Sequence, residues 1–577
     1  MAHESTHPDR PQNLVVMCVL AMAVGTIGGI GAWLFRLLIG LLHNVFFLGQ
    51  VELAYDANVH SATNPWGVGI IVVPVIGGLA VVWLVKSFAP EAKGHGVPEV
   101  MDAIHYQGGR IRPVVAVVKS LASAICIGSG GSVGREGPII QIGSAFGSTL
   151  GQIVRLPARQ RITLIAAGAG AGIAATFNAP LGGILFAIEL LLISVNVQNL
   201  LPVALATVTA NYIGRALLGT HPAFDLAALR VTDFHLTSPW LLILFIPFGM
   251  LMGLVAVGFI KGIYWAEERF DAVSENEYLR HILGMFLVGI LIYALWRLTG
   301  KYHIEGVGYA TIMDVISGSL TNPAFLVLLC LLKFAATCLT LGSGGSGGVF
   351  SPALFLGATV GASFGHTAQY ALPGVPIDVV AFTLAGMAAS VGACTGAVLT
   401  STVMLHEMTG DGNVILPVIL TTIIACGVRK MISPESIYTL KLLRRGHVVP
   451  EGLQAALDDA RCVEDVMTKQ LRVVEDPSDT GGRVGVTVVV SDGRVVNVVH
   501  PFGAVSDAEP ESSDDALPFI VVGPRTPLVE AMREMQLAGA GCAMVFSRRE
   551  SDRIEDLVGV VTLRELSVYR AKMSDIF

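Results

Sequence analysis

The chain has 577 residues, 53% of them apolar and only 14% charged, with a net charge of −7 and a mean hydropathy of +0.67. That balance excludes an ordinary water-soluble globular protein and makes the lipid bilayer the main solvent. Eight cysteines without a CxxC pair exclude a zinc ribbon or a disulfide framework, so no metal is expected.

Residues 1–13 form a short polar tail that leads into an apolar stretch without a small-residue cleavage site, which predicts a retained first helix and not a signal peptide. Nearly uncharged stretches at 13–42, 66–85, 239–259, 281–295 and 414–428 have the length, or nearly so, to cross about 30 Å of hydrocarbon as helices. Between them, Gly and Pro interrupt the pattern at 94–98, 128–138, 178–183 and 342–352. Backbone amides freed at such breaks need protein, water or a ligand, so the breaks are the functional candidates. Arg429, Lys430, Lys441, Arg444 and Arg445 follow the last apolar stretch and place the C-terminal region in the cytoplasm by the positive-inside bias. Charged residues then become frequent, which divides the chain into a membrane body, 1–445, and a soluble tail, 446–577.

Two of the breaks are copies of each other. At an offset of 214, residues 119–147 and 333–361 share 11 identities in 29 positions, including the lysines Lys119 and Lys333 and the string GSGGS. A second match, at an offset of 218, pairs Ala167, Gly168, Ala171 and Glu189 with Ala385, Gly386, Ala389 and Glu407. Paired glycine-rich breaks flanked by apolar helix predict a transporter built from repeats, with its site where interrupted helices meet. Small residues also permit close helix packing, but paired GSGGS strings with following prolines exceed that need. A helix N-terminus offers unpaired N–H donors and about half a positive elementary charge, so several converging ends suit a small anion. Partial charges also suit conduction, because an ion must leave as well as bind. The total charge is no guide to such a pathway, which depends on local fields. Lys119 and Lys333 are expected to snorkel to an interface, the alternative being that they raise the local potential for anions.

Gly134-Arg135-Glu136-Gly137-Pro138 together with Gly347-Gly348-Val349-Phe350-Ser351-Pro352 resembles the signature of the CLC family of chloride channels and proton/chloride exchangers. The family's GSGIP element has its counterpart in Gly94-His95-Gly96-Val97-Pro98, and the run from Phe177 to Glu189 and the late Tyr438 also match. The resemblance implies an all-α polytopic membrane protein of two inverted-topology repeats, a homodimer with one anion pathway per subunit, set in the cell membrane. It implies that Glu136 is the gating glutamate, whose carboxylate competes with chloride for one place and leaves on protonation. It further implies chloride ligands in the backbone amides of Val349 and Phe350, the hydroxyl of Tyr438, and the GSGIP counterpart at His95 and Gly96.

Two departures qualify that transfer. His95 stands where the family usually has serine; a histidine there can donate to chloride, respond to pH or pass protons, or turn away into packing. Where the family's exchangers often have a second glutamate, Leu190 follows Glu189, so protons must reach Glu136 through water, through His95 or Glu189, or not at all. The expected function is therefore proton/chloride exchange, with a passive chloride channel as the alternative. Glu407 is read as structural. A sodium-coupled transporter would more naturally use acidic or amide side chains at the breaks to hold a cation, and anion flux insensitive to sodium separates it from the anion reading; an intramembrane enzyme would show a nucleophile and base at readable spacing or an HExxH string, and the sequence has neither. Retention of Tyr438 favours chloride or nitrate over fluoride. No nucleic-acid partner is expected.

The tail resembles CBS domains in a small α/β arrangement: a first, truncated module with a start at Glu464 to Thr468 and strands at 486–490 and 495–499, and a fuller second module at about 518–570. In the second, strands are predicted at 519–522, 542–546 and 557–561 and helices at 527–536 and 563–569. Many nucleotide-binding CBS modules place Asp three residues after Thr; here Thr562 is followed by Glu565, which argues against a nucleotide, and no cofactor is expected. The acidic, Ser-rich stretch 506–515 is predicted to be a disordered loop.

Overall fold

A computed structural model of the chain describes residues 11–219, 224, 239–410, 414–447, 449, 462–469, 471–474, 486–491, 493–499, 519–526, 528–547, 553–562, 565 and 566. The chain forms two units, Met1–Leu453 and Gln454–Phe577.

Among the described residues the first unit is built from two sets of eight helices. The first set is α1 (Leu14–His43), α2 (Val73–Phe88), α3 (Val97–His105), α4 (Val114–Gly128), α5 (Glu136–Ile153), α6 (Ala158–Phe177), α7 (Pro180–Leu190) and α8 (Val197–Leu218). The second is α9 (Phe245–Val273), α10 (Glu277–Thr299), α11 (Tyr309–Ile316), α12 (Pro323–Gly342), α13 (Phe350–Ala371), α14 (Val379–Thr395), α15 (Val398–Thr409) and α16 (Ile415–Ile432); a short α17 (Thr439–Arg444) follows. Packing repeats with the sequence: α5 lies on α6 as α13 lies on α14, and α1 lies on α8 as α9 lies on α16. Among the described residues seven helices are long and apolar enough to span a bilayer, and the protein is a multi-pass membrane protein of two inverted repeats.

Glycine sets the closest of these crossings. A Cβ on Gly143 would lie 2.1 Å from the Gly168 carbonyl oxygen, and one on Gly357 would lie 2.2 Å from that of Gly386. The α5/α6 and α13/α14 crossings are thus the same small-residue contact made twice, as lipid-embedded helices require when packing, not water, drives association.

Each of the four sequence breaks contains a helix start, at Val97, Glu136, Pro180 and Phe350. After α6 the backbone turns through Asn178, at φ +56°, whose side chain accepts a hydrogen bond from Arg215 Nε at 2.6 Å, and Pro180 then starts α7. Gly396, at φ +81°, makes the equivalent stop between α14 and α15. The predicted span at 239–259 runs further, to Val273, because Lys261, Glu267 and Glu268 end the apolar run without ending the helix.

The two repeat lysines do not snorkel. Lys119 and Lys333 are both fully buried. Lys119 Nζ donates to the carbonyls of Ala92 (2.9 Å) and Gly94 (2.7 Å), and Lys333 Nζ to those of Ile304 (3.0 Å) and Gly306 (2.7 Å). Carbonyls released where the chain is not helical give each ammonium its acceptors inside the body, which removes the need to reach water. Arg429, counted above among the basic flank, is likewise buried and donates to the carbonyls of Ala393 (3.0 Å) and Pro434 (2.7 Å). The basic flank therefore consists of Lys430, Lys441, Arg444 and Arg445.

The body also holds the chain slightly beyond residue 445. Arg445 forms a two-pronged ion pair with Glu99 at 2.7 and 3.0 Å, the His447 ring stacks on Tyr106 at 4.1 Å, and Val449 is buried in the body's core. Composition changes at Gly446, but packing against α3 continues past it.

Among its described residues the second unit contains two sheets of the same design. Strand β1 (Leu471–Val474) runs parallel to β2 (Val486–Ser491), which is antiparallel to β3 (Arg494–Val499); β4 (Phe519–Val522), β5 (Cys542–Phe546) and β6 (Leu557–Thr562) repeat that order. Helix α18 (Leu528–Ala538) connects β4 to β5 and buries Leu528, Ala531 and Met535 with Val522 and Val545. Strand β1, four residues long, lacks the periodicity that a sequence reading needs. Burial pushes the Cys542 thiol up to about 11, consistent with an inert thiol. The stretch 506–515 and most of 563–569 lie outside the described residues.

Candidate functional site

The two glycine-rich breaks meet. Gly134 N donates to Gly348 O and Gly348 N to Gly134 O, both at 2.7 Å. Each glycine is the repeat counterpart of the other, so the two-fold relation between the halves passes between them. Related pairs flank it: Ser132 Oγ lies 3.2 Å from Thr337 Oγ1, and Ser123 Oγ lies 3.0 Å from Ser346 Oγ. The third break joins the same junction, since Gly94 N donates to Gly345 O (3.1 Å) and Gly347 N to Gly94 O (3.2 Å). The starts of α3, α5 and α13 are thereby gathered at one place. Their first N–H groups have no acceptor within their own helices.

Pro138 and Pro352 occupy the third positions of α5 and α13, where no intrahelical N–H bond is lost. Gly137 permits the approach of the helix starts: a Cβ there would lie 2.1 Å from His95 O and 3.0 Å from Gly348 Cα. Gly96, at φ +87°, turns the chain into α3.

Glu136 is the first residue of α5 and is 1% exposed. Its carboxylate reaches the start of α13. Oε1 accepts from Tyr309 Oη at 2.6 Å and from Ser351 Oγ, and Oε2 accepts from Ser351 N at 3.3 Å. The carboxylate thus occupies an amide-rich helix end belonging to the other repeat, which is where a small anion is stabilised. Tyr309, the first residue of α11, brings a fourth helix start to the junction. Its hydroxyl also lies 2.9 Å from Ser351 Oγ; the Arg135 guanidinium sits over its ring at 5.3 Å and the Phe224 ring meets it edge-on at 5.2 Å.

His95 is 3% exposed, and its Nδ1 is buried without a partner. The ring lies 6.2 Å from that of Tyr264, whose hydroxyl donates to the carbonyl of Ile437, so Tyr264 links His95 to the segment bearing Tyr438. Tyr438 is 2% exposed and precedes α17; Val349 precedes α13, and Phe350 is that helix's first residue. Beside Tyr264 a cavity of about 280 Å³ is lined by Lys93, Glu99, Lys441, Arg444 and Arg445 among others. Glu267, Glu268 and Asp271 complete a lining in which acids and cations balance, with Lys441 and Arg445 lying against Glu99.

Glu189 is engaged elsewhere. Its carboxylate accepts from Leu399 N (2.9 Å), Thr400 N (2.7 Å) and Thr400 Oγ1 (2.6 Å), capping α15. Glu407, on α15, returns the arrangement by accepting from Leu181 N (3.0 Å) and Gly182 N (2.7 Å) at the start of α7. The two acids therefore staple the repeats reciprocally. Glu189→Ala leaves three donors without their acceptor, at about 1–3 kcal/mol each, and is expected to lower the thermal stability of the purified protein. Glu189→Gln should retain most of that stability and all of any proton coupling. Loss of coupling at unchanged melting temperature would instead put Glu189 on a proton path.

Tyr309 and Ser351 are the contacts that the sequence reading missed. Ser351 stood inside a quoted motif without a role. Tyr309 had a signal: Gly306-Val307-Gly308 repeats the Gly94-His95-Gly96 pattern at an offset of 212, so the residue after it also begins a helix at the junction.

Repeated, interrupted helices whose N-termini converge around an acid inside a membrane body define an ion channel or transporter, not an enzyme. The chain matches the voltage gated chloride channel family over residues 77–430, and it belongs to that family, the CLC family. It is 32% identical over 440 residues to the H(+)/Cl(−) exchange transporter ClcA of Vibrio parahaemolyticus, covering 74% of this chain and 89% of the relative. Over 444 residues it is 30% identical to ClcA of Yersinia pseudotuberculosis, covering 76% and 89%. Among solved structures it resembles a slow cyanobacterial Cl−/H+ antiporter, with a TM-score of 0.65 and 26% identity over 76% of this chain and 99% of that one. A eukaryotic CLC transporter shares the fold at 19% identity with a TM-score of 0.63, covering 96% of this chain and 98% of that one.

Proposed function

We propose that this protein exchanges chloride for protons across the cell membrane, with Glu136 as the gate and Val349, Phe350, Tyr438, His95 and Gly96 along the anion path. The observation that carries this reading is the place of the Glu136 carboxylate, which takes donors at the α13 start that an anion would otherwise use. The ionised side chain and chloride then compete for one set of N–H and O–H groups. Protonation removes the charge, weakens the carboxylate's bonds and frees the place for chloride. One group thus alternates between holding a proton and yielding to an anion, which is the minimum needed to couple the two movements. The names of the curated relatives, which are H(+)/Cl(−) exchange transporters, support the same reading.

A passive chloride channel is the second reading, favoured by Leu190. It is 6% exposed and cannot titrate, and the adjacent Glu189 has its carboxylate committed to capping α15. In either reading the protein works as a homodimer with a cytoplasmic CBS-like tail, and the basic residues Lys430, Lys441, Arg444 and Arg445 support that sidedness. Thr562 N and Oγ1 both donate to Glu565 Oε2, which supports a local capping role for this pair over a nucleotide-directed one.

Proteoliposomes loaded with chloride decide between the readings. Exchange predicts that chloride efflux drives protons inward, seen by a pH electrode in a weakly buffered bath, and that nitrate substitutes for chloride better than fluoride does. Chloride efflux without opposed proton movement ends the exchange reading and leaves the channel.

A further inference from the structure

Away from the junction, one side-chain cluster has the composition of a metal centre. His60, His303 and Asp314 each offer a ligand atom, and these atoms lie within 4.8 Å of one another. They come from three places: the loop between α1 and α2, the loop before α11, and α11 itself. Helix α2 carries the chain from the His60 loop to the opposite end of the body, where α3 holds Arg445 through Glu99. The cluster therefore sits at the end of the body opposite Arg445.

Its hydrogen bonds leave the imidazoles prepared for a cation. Thr311 Oγ1 donates its only hydrogen to the His303 carbonyl oxygen, at 2.9 Å, so at its 3.1 Å contact with His303 Nδ1 the hydroxyl must be the acceptor. His303 then carries its proton on Nδ1 and presents the lone pair of Nε2, the tautomer fixed by an outer partner as in metal-bound histidines. His60 Nε2 lies 2.9 Å from Asp314 Oδ2, and its Nδ1 is buried without a partner. Two ligand atoms on one tetrahedral zinc ion are about 3.3 Å apart, so an ion can replace the proton between His60 and Asp314 with little movement. The two rings meet edge to face at 5.2 Å. With side-chain exposures of 14% for His60 and 19% for Asp314, the position is shielded yet reachable from outside. The competing cation is Lys301, whose Nζ lies 2.7 Å from Asp314 Oδ2; it is 45% exposed and free to swing into solvent.

We propose that His60, His303 and Asp314 bind a divalent transition metal of the zinc class on the outer end of the body, and that occupancy restrains α11. Two imidazoles and one carboxylate suit zinc or cobalt and leave a position for water. The coupling follows from the chain. Asp314 and Tyr309 share α11, and the loop between His303 and that helix is fixed by Lys333 through Ile304 and Gly306. A metal joining that loop to α11 and to the His60 loop therefore holds Tyr309 against Glu136 and slows transport. This second half rests on the gate reading above; metal binding does not.

Tag-free full-length protein in detergent is titrated with Co2+ and with Zn2+, and chloride flux from proteoliposomes is measured with Zn2+ on both sides. A saturable tetrahedral Co2+ absorption spectrum is expected, displaced by Zn2+ and weakened by about 10-fold or more in His60→Ala and in Asp314→Asn. Lys301→Ala removes the competing ammonium and should tighten binding, which a mere salt-bridge network would not show. Zn2+ should slow flux severalfold in the wild type and not in Asp314→Asn. Absence of a saturable spectrum, or a spectrum unchanged in both ligand variants, overturns the site. A spectrum that depends on these residues while flux ignores Zn2+ overturns the restraint on α11. Should the protein carry no chloride at all, the transport reading fails, and the spectrum still decides the metal.

Discussion

Glu136→Gln is expected to abolish proton counter-movement while chloride continues to flow, at a rate that no longer depends on pH. The wild-type carboxylate draws on Tyr309 Oη, Ser351 Oγ and Ser351 N, and bonds of this kind to an ionised acceptor are roughly twice as strong as neutral ones. As long as it is charged, it competes well with chloride for donors at the α13 start. Acidification neutralises it, so wild-type chloride flux should rise as pH falls. Glutamine has nearly the same volume but neither charge nor a titrating proton, and it stands in permanently for the neutral acid. Its flux should therefore equal or exceed the wild-type rate at neutral pH and stay level on acidification. Simultaneous chloride and pH electrodes on one liposome suspension make the comparison. A variant whose flux kept the wild-type dependence on pH would remove Glu136 from the gate.

What the sequence made legible was local. Glycine and proline punctuate a chain wherever it lies, so the four breaks, the GSGGS pair and the acid following one of them could be read directly. Even the two-fold relation was implicit, since Gly134 and Gly348 stand at matching positions before their mutual hydrogen bonds are seen. What stayed hidden was whatever depends on a distant partner. Lys119 finds its acceptors at Ala92 and Gly94, and Lys333 at Ile304 and Gly306, nearly thirty residues upstream in each case. Without those carbonyls in view, an intramembrane lysine is expected to seek water. The reciprocal caps of Glu189 and Glu407 span more than two hundred residues, and so does the approach of His60 to His303 and Asp314. No periodicity or spacing encodes such contacts. They follow only once the repeats have folded onto each other.

Tyr309→Phe is expected to weaken the hold on the Glu136 side chain and to raise chloride flux at neutral pH. The substitution deletes one hydroxyl and keeps the ring, with its Phe224 contact and its place beneath the Arg135 guanidinium, so α11 should not shift. A hydrogen bond to a charged group contributes about 1.5–3 kcal/mol, which corresponds to about a 10- to 100-fold change in the balance between the carboxylate and chloride at the shared place. Ser351→Ala acts on the same balance by removing the Oγ donor, while the Ser351 N–H remains. Because Tyr309 Oη and Ser351 Oγ also lie 2.9 Å from each other, the two changes should not add: the double variant is expected to gain less than the product of the single effects. Placing both in the Glu136→Gln background gives the internal control, since with no carboxylate to hold, neither hydroxyl should matter much. If Tyr309→Phe left flux and its pH dependence at wild-type values while retaining wild-type stability, the hydroxyl would be a packing contact. The carboxylate would then be held by the helix end alone.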